Sequence, residues 1–230
     1  MSTAFVIGNG KSRTPIPLEP LKSHGKIYAC NAVYRDFEPD YLVAVDTKMV
    51  SEINKHKWQW NHEVWTNPNK MYDSYHKFHY FDEPLGWSSG PTALWLATYG
   101  DPKNPRLHQH DTIYILGFDF KGTDADANNG EGGLINNIYA DTQNYKKSID
   151  PATYHGNWAR QTGIVCQKNP QKRYIRVVQN KEDYCPDNLT QLVNFKHVTV
   201  AEFMENFKIC LLYTSPSPRD VEESRMPSSA

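Results

Sequence analysis

The chain has 230 residues, and 25 Lys+Arg against 26 Asp+Glu leave a formal net charge of −1. That suits one medium domain and excludes a protein whose main task is to coat nucleic acid or an anionic membrane. No apolar run approaches the roughly 20 residues of a membrane helix, the N-terminus lacks a basic-then-apolar leader, and four scattered cysteines (Cys30, Cys166, Cys185, Cys210) make neither a disulfide framework nor a C-x-x-C zinc pair.

In chain order, AFVI at 4–7, KIYAC at 26–30 and YLVAV at 41–45 read as short apolar strands, each ending in a polar tip: GNGKS at 8–12, Asn31 and Asp46. Runs without alternation belong to strands buried on both faces, the habit of parallel sheets, whose ligands gather at the strands' carboxyl ends. Residues 50–81 are rich in aromatics and His and predict a helix plus short strands. Residues 88–100 predict a helix, with a Ser cap, Pro91 near the first helical position and Gly100 at the end.

A strand at 111–117 then leads into Phe118-Asp119-Phe120, and residues 121–137 form a long Gly/Asp/Asn-rich loop of the kind that serves as lid or binding segment. A helix at 151–166, a strand at 173–178 and a helix at 200–208 entered through Thr199 close the domain. The fold class expected is α/β, Rossmann-like, a mostly parallel sheet with helices on both faces, as a single domain over residues 1–209.

Residues 210–230 shift abruptly to Ser, Pro and Arg with no periodicity. The string LLYTSPSPRD…SRMPSSA resembles translated sequencing-adaptor DNA, so this tail is set apart as a scar with a natural disordered tail as the alternative. On the scar reading the native chain continues beyond Lys208.

Several groups can carry chemistry. In GNGKS, Gly8 and Gly10 let the backbone approach a ligand and free amides can face an anion, although the pattern is neither G-x-G-x-x-G nor a P-loop. A tight turn is the plain alternative. Ser88, Ser89, Gly90 and Thr92 place hydroxyls and amides at a helix start, as a phosphate site or as ordinary capping. His155 titrates near neutrality and is a candidate general acid or base, or a structural imidazole. Asp124 and Asp126 stand at alternate positions like half of a Ca²⁺ loop, but Gly130 and Ile135 break the register, so they are weak metal candidates. His108-Gln-His110-Asp111 reads as a solvated loop.

Taken in order, FVIGNGKSR, YACNAVYRDF, SSGPTALWLA, IYILGFDF and YHGNW resemble the bacterial CMP-sialic-acid-dependent sialyltransferases, over about residues 5–158. They also resemble the wider motility-associated glycosyltransferase-like and hydroxymethylpterin-pyrophosphokinase-like proteins, and small proteins of marine tailed phages. The resemblance implies nucleotide and phosphate contacts from Gly8, Asn9, Gly10, Ser12 and Asn31, further donor contacts from Ser89, Gly90 and Thr92, and a ribose or base contact from Asp119. It also implies a phosphate contact from Tyr139, the nearest match, with Tyr145 as the second candidate, and a base role for His155. Lys11, Ser88 and the acidic loop at 121–137 depart from the family pattern and put the donor's identity in doubt.

The expected function is therefore a glycosyltransferase that moves a sugar from a nucleotide-sugar donor, CMP-linked by the resemblance, to an acceptor hydroxyl. No resident cofactor is required on this reading, and a divalent metal is left open. The acceptor is a saccharide or, in a phage setting, a hydroxymethylated DNA base, with Lys146-Lys147 and Lys172-Arg173 offering local phosphate contacts. The alternatives are a Mg²⁺-dependent pyrophosphokinase-like enzyme, using carboxylates such as Asp46, Asp119 or Asp124, and a non-catalytic nucleotide-binding module. A cytoplasmic location and no membrane span are expected, and self-association is left open.

Overall fold

The computed structural model describes residues 2–100 and 110–209. The strands are β1 (Thr3–Ile7), β2 (Lys26–Cys30), β3 (Tyr41–Val43), β4 (Val64–Thr66), β5 (His79–Tyr80), β6 (Thr112–Leu116), β7 (Arg173–Val178) and β8 (Phe195–Thr199). The helices are α1 (Thr47–Lys55), α2 (Ser89–Tyr99), α3 (Gly156–Gln167), α4 (Asp187–Thr190) and α5 (Val200–Asn206). All eight strands form one sheet in the order β5-β4-β3-β2-β1-β6-β7-β8, and every neighbouring pair is parallel. This is the α/β, Rossmann-like architecture, with a wholly parallel sheet.

The apolar strands supply both faces at once. Phe5, Ile7, Ile27, Ala29 and Leu42 point to one layer, under Met49, Val50 and Ile53 of α1 and Phe203 and Met204 of α5. The alternate residues Ala4, Val6, Tyr28 and Val43, with Ile113 and Ile115, point to the other, under α2 and α3. The period-2 pleat splits one unbroken apolar run between two cores. Helix α2 shows eight buried residues because it lies wedged between the sheet and α3, so it reads as apolar all round.

Some boundaries differ from the sequence reading. The helix expected over 151–166 begins only at Gly156, because Pro151 makes an antiparallel bridge with Leu134, which also bridges Thr123. A tertiary pairing thus holds Pro151 and Ala152 against residues 133–134 and delays the helix. The final helix ends at Asn206, and its start is held by a reciprocal capping box between Thr199 and Glu202. Edge strand β8 went unrecognised since it runs straight into that helix. The crossovers from β1 to β2 and from β2 to β3 are short 3-10 turns. The separate tail at 210–230 and His108 lie outside the described residues.

The strand order reverses between β1 and β6, the switch point beside which such sheets hold their ligand crevice at the strands' carboxyl ends. That crevice is where the polar tips meet.

Candidate functional site

The loops after β1 and β6 interlock. The Gly8 amide donates to the Leu116 carbonyl (2.8 Å) and the Gly10 amide to the Gly117 carbonyl (2.9 Å). A Cβ on Gly8 would lie 2.6 Å from the Gly117 oxygen, and one on Gly117, whose φ is +69°, 2.8 Å from the Gly8 oxygen. A Cβ on Gly10 would strike Asp119 at 2.5 Å. Asp119 in turn accepts from the Ser12 amide (3.1 Å) and the Ser12 hydroxyl, while the Lys11 amide donates to Asn136 Oδ1 (2.9 Å). Four amides of the GNGKS turn are therefore engaged within the protein. This corrects the expectation that they face an anion: the glycines are there because two backbones touch, and Ser12 orients Asp119.

Beside this knot lies a cavity of about 590 Å³ at the carboxyl edge of the sheet, within the range of small-molecule sites. Gly8, Asn9, Gly10, Asn31, Ser89, Gly90, Asp119, Tyr145 and His155 all line it. Of the residues singled out in the sequence, Ser12, Thr92, Tyr139, Asp124 and Asp126 do not.

Asn9 is only 9 % exposed; its Nδ2 donates to the Tyr145 hydroxyl (3.2 Å) and its Oδ1 has no partner. Asn31 leaves β2 with φ +53°, a left-handed conformation Asn tolerates better than most residues, and its buried Oδ1 is likewise unpaired. Unsatisfied buried acceptors are uncommon and costly. Two of them in one cavity mark positions where a ligand's N–H or O–H groups would be stabilised.

The Tyr145 hydroxyl accepts from Asn9 Nδ2 and from the Ala32 amide (3.3 Å), which leaves its own proton to donate. Burial pushes its pKa up, so it stays protonated. Tyr139 is corrected: it is buried, with its hydroxyl accepting from Arg13 Nη2 (3.1 Å) and donating to Asp36 (2.8 Å). It braces the loop from behind and does not line the cavity.

Helix α2 enters the cavity by its N-terminus. The Ser88 side chain makes no cap, its amide donates to Gln161 Oε1 (3.1 Å), and the Ser89 hydroxyl accepts from the Val45 amide (3.1 Å). Ser89 and Gly90 thus sit at the open, electropositive end of the helix. Thr92 is corrected too: it is 2 % exposed and its hydroxyl returns to the Ser88 carbonyl (2.9 Å).

His155 stands at the first turn of α3, its ring edge-on to Trp158 at 5.0 Å between centroids. Burial pulls its pKa below the ordinary 6.5, and the Asp119 carboxylate offsets only part of that. The imidazole is neutral at pH 7 and able to accept a proton.

Sequence reasoning assigned no role to Lys48, Asn136 and Asn137, which also line the cavity. The Asn136-Asn137 pair inside a Gly-rich loop was the available signal. Asp46, noted only as a strand tip and a pyrophosphokinase carboxylate, lines the cavity at the start of α1, and burial raises its pKa. The metal reading fares poorly: Asp126 Oδ1 is occupied by the amides of Asn128 (2.8 Å) and Asn129 (3.1 Å). Among the described residues no group of three or more His, Cys, Asp or Glu is placed to hold a metal. His110 lies away from the cavity, its Nε2 3.0 Å from the Tyr28 hydroxyl.

The fold and its crevice define a doubly wound α/β protein with an open cleft at the topological switch point, the usual ligand position of such sheets. Comparison with protein-family models, with curated proteins and with solved structures finds no match to this chain. No helix among the described residues is long and apolar enough to cross a membrane.

Proposed function

We propose that the chain is a glycosyltransferase that moves a sugar from a nucleotide-sugar donor to an acceptor hydroxyl, with His155 as general base. The observation that carries this reading is the pairing, in one cavity, of a burial-neutralised imidazole with the uncapped N-terminus of α2. A proton acceptor and an anion-stabilising end are what the reaction needs.

In the reaction, the acceptor oxygen bonds to the sugar's anomeric carbon as the bond from that carbon to the phosphate oxygen breaks. The acceptor's proton passes to His155, and the bonding pair leaves with the nucleotide phosphate. The open end of α2 at Ser89 and Gly90, with the Tyr145 hydroxyl, stabilises that growing charge. The unpaired amide oxygens of Asn9 and Asn31 accept from the nucleoside. The family resemblance favours a CMP-linked donor.

A thermal-shift panel of CMP-, UDP-, GDP- and ADP-linked sugars tests the reading, since a ligand at 100 times its dissociation constant adds about 2.7 kcal/mol. One class is expected to stabilise the protein, and His155→Gln is expected to keep that response within threefold in affinity while lowering turnover by roughly 10²–10⁴-fold. No response to any nucleotide sugar would overturn it.

A further inference from the structure

A second cavity of about 210 Å³ lies at the carboxyl ends of β6 and β7 and shares Asp119, Lys121 and Asn136 with the larger one. Arg176 of β7, 2 % exposed, forms part of its wall. Its Nη1 donates to the Tyr184 carbonyl (2.8 Å) and its Nη2 to the Asp119 carbonyl (2.9 Å), while Nε has no partner. The guanidinium packs on the Phe120 ring at 5.1 Å. No carboxylate hydrogen-bonds to it, although buried arginines are almost always paired.

Two of the three carboxylates that line the cavity are already engaged. Asp183 Oδ2 accepts from the Gln179 and Asn180 amides (3.0 and 3.1 Å), and its Oδ1 lies 3.5 Å from Lys121 Nζ. Asp119 is held by Ser12. Asp124 is exposed, and at the same rim Lys11 is exposed and makes no ion pair among the described residues. Burial works against the Arg176 charge, with Asp119 and Asp183 offsetting part of it. A small chamber with a buried, carboxylate-free guanidinium and a free ammonium at its mouth is built to receive an oxyanion.

We propose that this second cavity is an acceptor subsite that holds a phosphate or carboxylate group of the acceptor through Arg176, Lys11 and Lys121; it rests on the glycosyltransferase reading. The shared wall of Asp119, Lys121 and Asn136 lets an acceptor anchored there extend into the cavity of His155. Phosphate and carboxylate share the recognition chemistry, since each offers a charged oxygen pair to a guanidinium fork.

Isothermal titration of the full chain with inorganic phosphate, glucose 6-phosphate, glucuronate and neutral glucose is the test. Inorganic phosphate is expected to bind. Glucose 6-phosphate or glucuronate is expected to bind at least tenfold tighter than phosphate, with glucose silent. Lys11→Glu, an exposed change that leaves folding intact, is expected to weaken anion binding at least tenfold and nucleotide-sugar binding less than threefold. Arg176→Lys is expected to weaken anion binding further, and Lys11→Glu keeps the test decisive if that buried variant does not fold.

Phosphate binding no weaker than that of the sugar conjugates would make this a free-ion site and overturn the acceptor assignment. Absent anion binding, or binding indifferent to Lys11→Glu, would overturn the subsite altogether. Anion binding with no response to any nucleotide sugar would instead overturn the glycosyltransferase reading and leave an oxyanion pocket.

Discussion

On the β1/β6 wall of the main cavity, Gly8, Gly10 and Gly117 let two loops interlock, and almost every polar group there has a protein partner. Across from it, Asn31 carries an unpaired amide oxygen and α2 begins without a side-chain cap, and the Asn9 side chain, leaving the β1 loop between the two glycines, adds a second unpaired oxygen. Both walls are rich in the small polar residues that suggest ligand contact. The first is satisfied internally and holds geometry. The second is left short of partners, and groups short of partners are the ones a ligand completes.

The contrast is broken most severely at the knot. Gly117→Ala would add a Cβ 2.8 Å from the Gly8 oxygen at φ +69°, so a loss of about 4 kcal/mol is expected, among the largest single-site effects; urea unfolding reads it. Next is the brace behind the ligand-facing wall. Arg35 grips Glu52 by two bonds (2.8 and 2.7 Å) and reaches Thr142 Oγ1 and the Gln143 carbonyl. Burial works to raise the Glu52 pKa, but its bonds from Arg35, Tyr34 and Asn144 leave it lowered. Arg35→Ala strands that carboxylate and is expected to lose about 3 kcal/mol, with protease cleavage appearing first within residues 139–146.

A gentler change separates binding from folding. Asn31→Gly removes an unpaired oxygen at φ +53°, so stability should stay within about 0.5 kcal/mol. Nucleotide-sugar affinity should fall about tenfold, or 1.4 kcal/mol, by titration calorimetry. Equal losses in both measurements would place Asn31 with the structural wall.

The mildest effects are those of pH. His155 and His197 both have folded pKa values below the ordinary 6.5, His197 down to about 4 through burial and the neighbouring Arg176. The unfolded chain therefore takes up these protons first. Stability is full above pH 6.5 and falls as pH drops, over the window from 6.5 to about 4 for His197. His197→Phe is expected to flatten that decline in urea titrations at pH 7 and pH 5. The acid limb of turnover should have a midpoint below 6.5 and vanish in His155→Gln.

The sheet was legible because its strands are short unbroken apolar runs, and Lys26–Cys30 and Arg173–Val178 were read to the residue. Helix α2 announced itself through Ser88, Pro91 and Gly100. The resemblance favours Tyr139 over Tyr145, yet Tyr145 is the one that lines the cavity: both are tyrosines in one loop, and only packing turns one toward Arg13 and Asp36 and the other toward Asn9. Thr92 and Ser89 differ in the same way: adjacent turns of a helix point to different neighbours, and a sequence carries no neighbours.

Local chemistry and periodicity along the chain were enough to specify a parallel α/β sheet and its polar tips, since such signals act over a few residues, whereas the role of His155 beside them was an implication of the family resemblance. The tertiary structure alone decided which of those groups are consumed by the protein and which remain open. That depends on contacts across 100 or more positions, such as Ser12 with Asp119 or Asn9 with Tyr145, and hydrogen-bond satisfaction is a property of the packed molecule.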